Sequence, residues 1–390
     1  MLRLTFFALL ISSFGASAQT PNILAGKTTG PFPYLEYGFG TDRLGGAKMT
    51  FLDTGVVIKV VDSTLVNYKV QLSKDHFAYL PKSNFIKDSS VKSQPFYLAS
   101  SWIAAGNDLY DSVAVSFDDK LPYRSIQLIH PSKIIVDVFG ATSNTNWITQ
   151  RTSLKEVKNV YQEQVEDDVY RITIELKHEQ HWGYSIYYIG KRLVIKIKRQ
   201  PRELDIEKMK VAVDAGHGGS NTGAAGVATK ILEKNYTILI ARELEKELKD
   251  NGAAVFMTRN NDIDLSMTER VEMVKKEDPD FLISIHLNSS VKDSIRGVST
   301  YYRYIGFRPL TKYIQESMLE LGLVDFGNVG SFNFALNGPT DYPNCLVEVA
   351  FLSNKEDEQL ILNPEFHKAA AKQILKGIKE WLKSCKKTDD

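Results

Sequence analysis

The sequence predicts a chain of two structural kinds: an α/β C-terminal domain whose open twisted sheet has helices on both faces, preceded by all-β N-terminal modules. Residues 30–200 consist mostly of short β-branched and aromatic runs separated by polar turns. Beyond a polar, proline-containing stretch at residues 199–208, strand patterns and helix patterns alternate. The length of 390 residues suits two or three domains of this kind.

The first residues have the pattern of a secretory signal peptide. A positive charge at Arg3 precedes an apolar stretch at residues 4–14 and three small residues at 16–18 (ASA). A buried N-terminal helix is the alternative. We predict that residues 1–18 are a signal peptide, which makes the mature protein an exported one of the periplasm or cell envelope. No later run reaches the roughly 18 apolar residues of a membrane span.

Charge and cysteine content exclude some classes of protein. The net charge of +1 provides no global field that would attract nucleic acid or an anionic membrane. Two cysteines, Cys345 and Cys385, are too few for a disulfide framework. A single bridge between them and the simple packing of Cys345 inside a strand are the two alternatives.

The N-terminal part divides into two predicted β-rich modules. The first covers residues 19–104, and its segment 68–86 (YKVQLSKDHFAYLPKSNFI) resembles the end of a bacterial SH3-like module. The second covers residues 105–200. Its runs at 113–117, 133–139, 170–176 and 192–198 alternate strictly enough to predict antiparallel strands of a sandwich, and it resembles the AMIN class of envelope-targeting domains. An unspecialised β-rich spacer is the alternative for both modules.

The C-terminal half is predicted as a linker at residues 201–209, an α/β domain at 210–385 and a frayed tail at 386–390. Its predicted strands are 210–214, 254–258, 281–286, 298–302 and 345–350. Its predicted helices are 234–250, 267–276, 309–321 and 364–383. In the last helix, His367 is predicted on a solvated face, beside Glu365 and Lys368. The predicted buried stripe of that helix is Phe366, Ala370, Ile374, Ile378 and Trp381.

Residues 211–220 (VAVDAGHGGS) lead a strand directly into a glycine-rich loop that contains His217. Glycine allows unusual backbone angles and a close approach to the backbone. A phosphate-binding loop does not fit. Counted from Gly216, the last glycine of a dinucleotide motif would be Asn221, and the Gly-Lys-Ser/Thr of a P-loop is missing.

Four side chains are predicted to meet at one edge of the sheet. His217 follows the first strand of the domain, His286 ends the strand at 281–286, and Glu233 opens the first helix. Glu348 lies in an otherwise apolar strand, where a carboxylate is costly without a partner. Ligands bind beyond the carboxyl ends of such strands. Two histidines and one carboxylate leave a fourth zinc position open, as in catalytic zinc sites, and a second carboxylate can transfer protons.

Residues 208–383 resemble the zinc-dependent N-acetylmuramoyl-L-alanine amidases of the third amidase class. The matching motifs are VAVDAGHGGSNTGAAG, LEK, VFMTRNND, MTERV, DFLISIHLN, GVSTYY and LVEVAFLSN. The resemblance implies one Zn²⁺ per catalytic domain, ligated by His217, Glu233 and His286, with Glu348 as the catalytic acid/base. It implies hydrolysis of the amide between the lactyl group of N-acetylmuramic acid and L-alanine in peptidoglycan. An envelope or division-associated protein is the expected partner of the N-terminal modules.

Other roles remain open for these residues. His217 can be an idle loop histidine, His286 a strand-end hydrogen bonder, Glu233 a first-turn acid and Glu348 an ion-paired structural carboxylate. Two other functions also remain open. The first is a zinc peptidase that cuts within the stem peptide, and the second is a non-catalytic regulator that binds peptidoglycan.

The surroundings of this site can be predicted in part. Arg259 and Arg270 match positions of the same family and are expected to brace helices through ion pairs. Asn288 follows His286 and is expected to orient water or substrate. Asn333 and residues 336–342 are expected to border the groove.

Overall fold

The first β-rich unit is a single antiparallel sheet. A computed structural model describes residues 24–40, 44–91, 94 and 96–386, so the predicted signal peptide lies outside the described residues. The strands are β1 (Leu24–Thr28), β2 (Tyr34–Glu36), β3 (Lys48–Phe51), β4 (Val57–Ser63), β5 (Asn67–Gln71), β6 (Phe77–Pro81) and β7 (Phe85–Lys87). They pair in the order β3-β2-β6-β5-β4-β1-β7. Alternate residues such as Ile58, Val60 and Val70 are buried, which explains the sheet's one apolar face.

The second β-rich unit is built from two sheets that share a core. Its strands are β8 (Tyr97–Gly106), β9 (Tyr110–Phe117), β10 (Tyr123–Ile129), β11 (Ser132–Phe139), β12 (Ala141–Ser143), β13 (Ile148–Gln150), β14 (Val157–Glu166), β15 (Val169–Leu176), β16 (Tyr184–Ile189) and β17 (Arg192–Lys198). One sheet has the order β10-β11-β15-β14, and the other has the order β12-β8-β9-β17-β16 with β13 beside β8. The all-β prediction for this half of the chain is confirmed.

Two predicted boundaries differ from the structure. The division between residues 104 and 105 falls inside β8, because Tyr97, Trp102 and Ala104 already point into the core of the second unit. The predicted linker at 201–209 is not a free connection. Its apolar residues Leu204, Ile206 and Met209 are buried in the core of the C-terminal domain, and the polar character of their neighbours concealed this in the sequence.

The second unit also inserts a side chain into the C-terminal domain. Trp182 is 2% exposed, and its ring centroid lies 5.1 Å from that of Trp381. Gln180 fills the same junction: its Nε2 donates to the carbonyl of Gly306 at 2.9 Å, and its Oε1 accepts from Trp381 Nε1 at 2.9 Å. The β-rich half and the α/β half are therefore packed together through buried contacts.

The C-terminal domain is an open mixed sheet with helices on both faces, as predicted. Its strands are β18 (Lys210–Ala215), β19 (Ala254–Met257), β20 (Phe281–Asn288), β21 (Val298–Tyr301), β22 (Asp325–Val329) and β23 (Asn344–Phe351). Its helices are α1 (Glu233–Asp250), α2 (Met267–Glu277), α3 (Arg308–Leu319), α4 (Lys355–Leu362) and α5 (Pro364–Cys385). The strand order is β19-β18-β20-β23-β21-β22, in which β19, β18, β20 and β23 run parallel. The sequence analysis missed β22 and α4.

Hydrophobic periodicity accounts for the helices that the sequence did predict. The apolar face of α1 buries Ala241, Leu244 and Leu248, and the helix ends at Asp250, followed by the capping residue Asn251 and by Gly252 with φ +86°. The predicted stripe of α5 is buried throughout.

One side chain of α5 is not where it was predicted. His367 is only 4% exposed, and its Nε2 donates to the carbonyl of Ile361 at 2.6 Å. The prediction of a solvated face was wrong because α4, which carries that carbonyl at its C-terminal turn, was not predicted.

Cys345 and Cys385 are both buried and are not joined in a disulfide, and Cys345 packs inside β23. Among the described residues, no helix combines the length and the apolar character that crossing a membrane would require.

Candidate metal centre

The glycine loop after β18 brings His217 to the edge of the sheet. His217 has φ +62°, and Gly218 and Gly219 have φ +136° and +56°, so the chain turns through left-handed conformations that favour glycine. A Cβ on Gly216 would lie 2.4 Å from Cε1 of His286. Gly216 therefore has no side chain because the second imidazole occupies that space.

The structure brings His217, Glu233 and His286 together. Glu233 Oε1 lies 3.1 Å from His217 Nε2 and 3.1 Å from His286 Nδ1. One ligand atom from each residue falls within 4.8 Å of the others. Zinc bonds of 2.0–2.1 Å in a tetrahedron hold neighbouring ligand atoms about 3.4 Å apart. The spacing of these three donors therefore fits a zinc ion.

The surrounding hydrogen bonds orient the donors toward one point. His217 Nδ1 lies 2.8 Å from the side-chain oxygen of Asn221, an acceptor that requires the hydrogen to be on Nδ1. With one hydrogen on Nδ1, loss of the second ring proton, which lies on Nε2 beside Glu233, leaves the lone pair of Nε2 available to a metal ion. Glu233 also accepts from the backbone N–H groups of Ala224 at 2.8 Å and Leu287 at 3.0 Å. Its carboxylate is thus fixed by the loop and by β20.

The charges at the centre reinforce one another. Burial alone would lower the pKa of His217, but its hydrogen bond to Glu233 and the charge of that carboxylate raise the pKa above its ordinary value. Burial alone would raise the pKa of Glu233, but hydrogen bonds and positive charge from His217 and His286 hold it well below its usual range. A buried, ionised carboxylate beside two imidazoles suits a divalent cation.

His286 is held by packing and by Glu233, whose Oε1 lies 3.1 Å from its Nδ1. Its buried Nε2 has no hydrogen-bond partner among the described residues, while its ring lies against Gly216 and meets the ring of Phe334 edge-on at 5.4 Å. In His217, by contrast, the ring nitrogen that faces away from Glu233 has a hydrogen-bond partner, Asn221.

Arg259 and Arg270 brace the glycine loop from behind. Arg270 Nη1 forms an ion pair with Asp214 at 2.6 Å and donates to the carbonyl of Ala215 at 2.9 Å. Arg259 Nε donates to the same carbonyl at 2.8 Å, and its Nη2 donates to that of Gly216 at 2.9 Å. The arginines therefore position backbone, and only Arg270 does so with the help of an ion pair to Asp214.

Sequence reasoning missed two carboxylates that hold the exposed side of the loop. Asp262 accepts from the N–H of Gly219, and Asp264 accepts from the N–H and the hydroxyl of Ser220, at 2.6–2.7 Å. The sequence did contain a signal for this contact. Glycine loops expose N–H groups that need acceptors, and Asp262 belongs to the VFMTRNND motif.

Glu348 lies beside the donor cluster and outside it. In the sheet it pairs in register with His286 on one side and with Ser299 on the other. Paired residues on neighbouring strands point to the same face, so Glu348 shares the face of His286, and it is 7% exposed. Asn288, at the end of β20, donates to the hydroxyl of Tyr301 at 3.2 Å.

A row of aromatic rings extends from the centre. Phe334 contacts His286, Phe332 stacks on Phe334 with centroids 6.2 Å apart, and Tyr301 lies 4.4 Å from Phe332. Asn333, expected to border the groove, instead contacts the first β-rich unit through the carbonyls of residues 44 and 46. The sequence analysis missed both phenylalanines.

Comparisons with known proteins identify the family. A family model described as N-acetylmuramoyl-L-alanine amidase matches residues 211–380, and the AMIN domain model matches residues 103–199. The germination-specific N-acetylmuramoyl-L-alanine amidase of Bacillus subtilis is 30% identical over 198 residues, which cover 46% of this chain and 82% of that protein. This chain belongs to the N-acetylmuramoyl-L-alanine amidase family.

Two further relatives show how much of the chain is shared. The probable cell wall amidase LytH of Staphylococcus epidermidis is 34% identical over 176 residues, which cover 45% of this chain. The chain spans 58% of the length of that relative. The N-acetylmuramoyl-L-alanine amidase AmiC of Neisseria meningitidis serogroup B is 23% identical over 396 residues, covering 78% of this chain and 94% of that protein.

Proposed function

We propose that this protein is a zinc-dependent amidase of peptidoglycan. It cleaves the amide between the lactyl group of N-acetylmuramic acid and the L-alanine of the stem peptide. The observation that carries the proposal is the position of Glu233 Oε1, 3.1 Å from one nitrogen of each histidine. Family membership supports the substrate, since the named activity of the Bacillus subtilis relative is cleavage of this kind.

His217, Glu233 and His286 would hold the zinc ion. When bound, zinc supplies a Lewis acid that polarises a carbonyl and lowers the pKa of water. Asn221 keeps His217 in the tautomer that leaves Nε2 free to bind the metal, and the N–H groups of residues 224 and 287 fix the Glu233 carboxylate. The chain therefore offers a preformed set of donors.

Glu348 would act as general base and then as general acid. It accepts a proton from the water that attacks the scissile carbonyl, and a C–O bond forms. It returns that proton to the nitrogen of L-alanine as the C–N bond breaks, which releases a neutral amine. Its place in register beside His286, without membership of the donor cluster, supports this role.

The two N-terminal β-rich units would hold the enzyme at the cell envelope. The pattern of residues 1–18 and the match to an AMIN domain support an exported enzyme held at the cell envelope. We infer that the first unit, with its SH3-like segment, and the AMIN domain bind peptidoglycan or an envelope protein.

Product analysis tests the proposed reaction. Purified, zinc-loaded protein is incubated with intact peptidoglycan, and the soluble products are identified by mass spectrometry. Free stem peptides that begin with L-alanine, together with glycan strands that lack peptides, are the expected products. Fragments cut within the peptide would identify a peptidase instead. Binding without any product would identify a non-catalytic regulator.

A further inference from the structure

Residues 330–343, which we call the wall segment, separate the metal centre from the two β-rich units. The side chains of Phe332 and Phe334 face the centre, where their stacked rings continue from His286 toward Tyr301. Phe334 also packs into a small core with Leu336 and other residues on this face of the sheet. One surface of the wall segment therefore borders the donor cluster.

The opposite surface is attached to the first β-rich unit through Asn333. Its Nδ2 donates to the carbonyl of Gly46 at 2.8 Å and to that of Leu44 at 3.3 Å. Its Oδ1 accepts from the N–H of Lys48 at 3.3 Å. An asparagine side chain has two N–H donors and one carbonyl oxygen. Asn333 uses both kinds of group on backbone nearly 290 residues away in sequence.

The other end of the wall segment is attached to the second β-rich unit. The N–H of Tyr184 donates to the carbonyl of Thr340 at 2.7 Å, and the Thr340 hydroxyl donates back to the carbonyl of Tyr184 at 2.7 Å. The hydroxyl of Ser185 donates to Asp341 at 2.8 Å. The segment is thus fixed at two places, seven residues apart.

A cavity of about 350 Å³ lies between these two places. Residues 335 and 338–341 form one wall of it, and side chains of both β-rich units and of α2, such as Phe51, Tyr123 and Met267, form the others. Close packing, which normally fixes side chains in a protein interior, is therefore incomplete behind the wall segment. Within the C-terminal domain, the N–H of Phe332 donates to the carbonyl of Tyr302 at 3.0 Å, and Asn337 bonds to Tyr301 and Asn344. The hydrogen bonds of Asn333 add the attachment to the first β-rich unit, on the side where packing is incomplete.

We propose that Asn333 is a positioning residue, through which the first β-rich unit holds Phe332 and Phe334 beside His286 and so shapes the groove that receives the substrate. The identity of the substrate in this inference rests on the proposed function. The attachment of the wall segment through Asn333 does not. The first β-rich unit would then help to shape the active site, in addition to holding the enzyme at the cell envelope. Displacement of this substrate-contacting surface removes contacts that the substrate makes equally in the bound state and in the transition state, so it weakens substrate binding and leaves the chemical step unchanged.

Hydrogen exchange in the full-length protein tests the attachment directly. In Asn333→Ala, the amides of residues 332–338 are expected to exchange at least about tenfold faster, as the loss of two or three neutral hydrogen bonds implies. Asn333→Asp keeps the side-chain size but presents oxygen to both carbonyls, so it should show the same loss of protection. The matched control is Lys198→Ala, which breaks a side-chain contact between the second unit and Asp278 and involves none of the hydrogen bonds of Asn333.

Kinetics with peptidoglycan fragments supply the second readout. Both Asn333 variants should bind one zinc ion per chain, and KM should rise about tenfold while kcat changes less than twofold, because the donors and Glu348 are untouched. Lys198→Ala should match the wild type in both readouts.

Each other outcome has a clear meaning. Unchanged exchange of residues 332–338 in both Asn333 variants would overturn the proposal. Faster exchange in Lys198→Ala as well would overturn it too, because the effect would then be general loosening. Faster exchange confined to the Asn333 variants, with no hydrolysis even by the wild type, would uphold the attachment and reject the proposed function.

Discussion

Two buried carboxylates at the same end of the sheet have opposite surroundings. Asp214 is 1% exposed and is matched completely by fixed protein donors: Arg270 at 2.6 Å, Thr258 at 2.7 Å and Ser284 at 2.7 Å. Glu233 is 4% exposed and has two backbone N–H donors, but its nearest possible cations are imidazoles.

The difference indicates a structural role for Asp214 and a metal-binding role for Glu233. Burial alone would raise the pKa of Asp214, but the charges of Arg270 and His286 and the two hydroxyl donors hold it below its usual range. An arginine is charged at every accessible pH, so the Asp214 site is closed. An imidazole can exchange its proton for a metal ion, so the Glu233 site remains open to a cation.

The largest expected effect concerns a third carboxylate on this face, Glu348. If it transfers protons and does not ligate the metal, Glu348→Ala should lose about two to four orders of magnitude in amide hydrolysis. Zinc content, measured by mass spectrometry of the metal, should remain at one per chain. Glu365→Ala, which removes an exposed glutamate of α5, is the control and should be fully active. Surviving turnover in Glu348→Ala would refute the acid/base assignment.

Breaking the closed site should mainly cost stability. Arg270→Met leaves the Asp214 charge buried without its cation, and the free energy of unfolding should fall by about 3–5 kcal/mol in urea titrations. Lys276→Met, an exposed change on the same helix, should stay within about 0.5 kcal/mol of the wild type. A loss below about 1 kcal/mol for Arg270→Met would mean that the two carboxylates do not differ as described.

Filling the open site should stabilise the protein. Free zinc at about 100 times its dissociation constant should add about 2.7 kcal/mol to the free energy of unfolding, and a chelator should reverse the gain. Glu233→Gln should abolish this response, while Asp214→Asn, although less stable, should keep it. The comparison fails if calorimetry finds the same zinc response in Glu233→Gln as in the wild type.

The smallest expected effect tests the orientation of His217. Asn221→Ala removes the acceptor that fixes the tautomer, so zinc affinity should fall about 10- to 100-fold in competition with a chelator. Asn261→Ala, at an exposed position nearby, should leave the affinity unchanged. An equal affinity in Asn221→Ala and wild type would show that Asn221 is not needed to orient the imidazole.

The sequence predicted the C-terminal domain well because its signals are local. The apolar spacing of α1 and α5 and the short buried strands gave their positions within a few residues, and parallel topology brought His217 and His286 to one edge. The donor roles of these residues, and that of Glu348 in proton transfer, stay predictions that the experiments above address.

Contacts between distant parts of the chain could not be predicted. Asn333 forms hydrogen bonds with the backbone of residues 44–48. The local sequence pattern of neither segment predicts this contact. His367 was misplaced for a similar reason, because its burial depends on the carbonyl of Ile361 in a helix that the sequence did not reveal. Residues 201–209 look like a linker locally, and only the assembled core shows that Ile206 is buried.

The insertion of Trp182 has a consequence for the order of folding. Its ring is covered by Trp381 of α5, the last helix that the structure describes. During synthesis from the N-terminus, the β-rich half is complete about 165 residues before that helix begins. Until α5 is made, Trp182 lacks the ring that covers it and Gln180 lacks its contact with Trp381, so the β-rich half reaches its final packing only when the last helix docks.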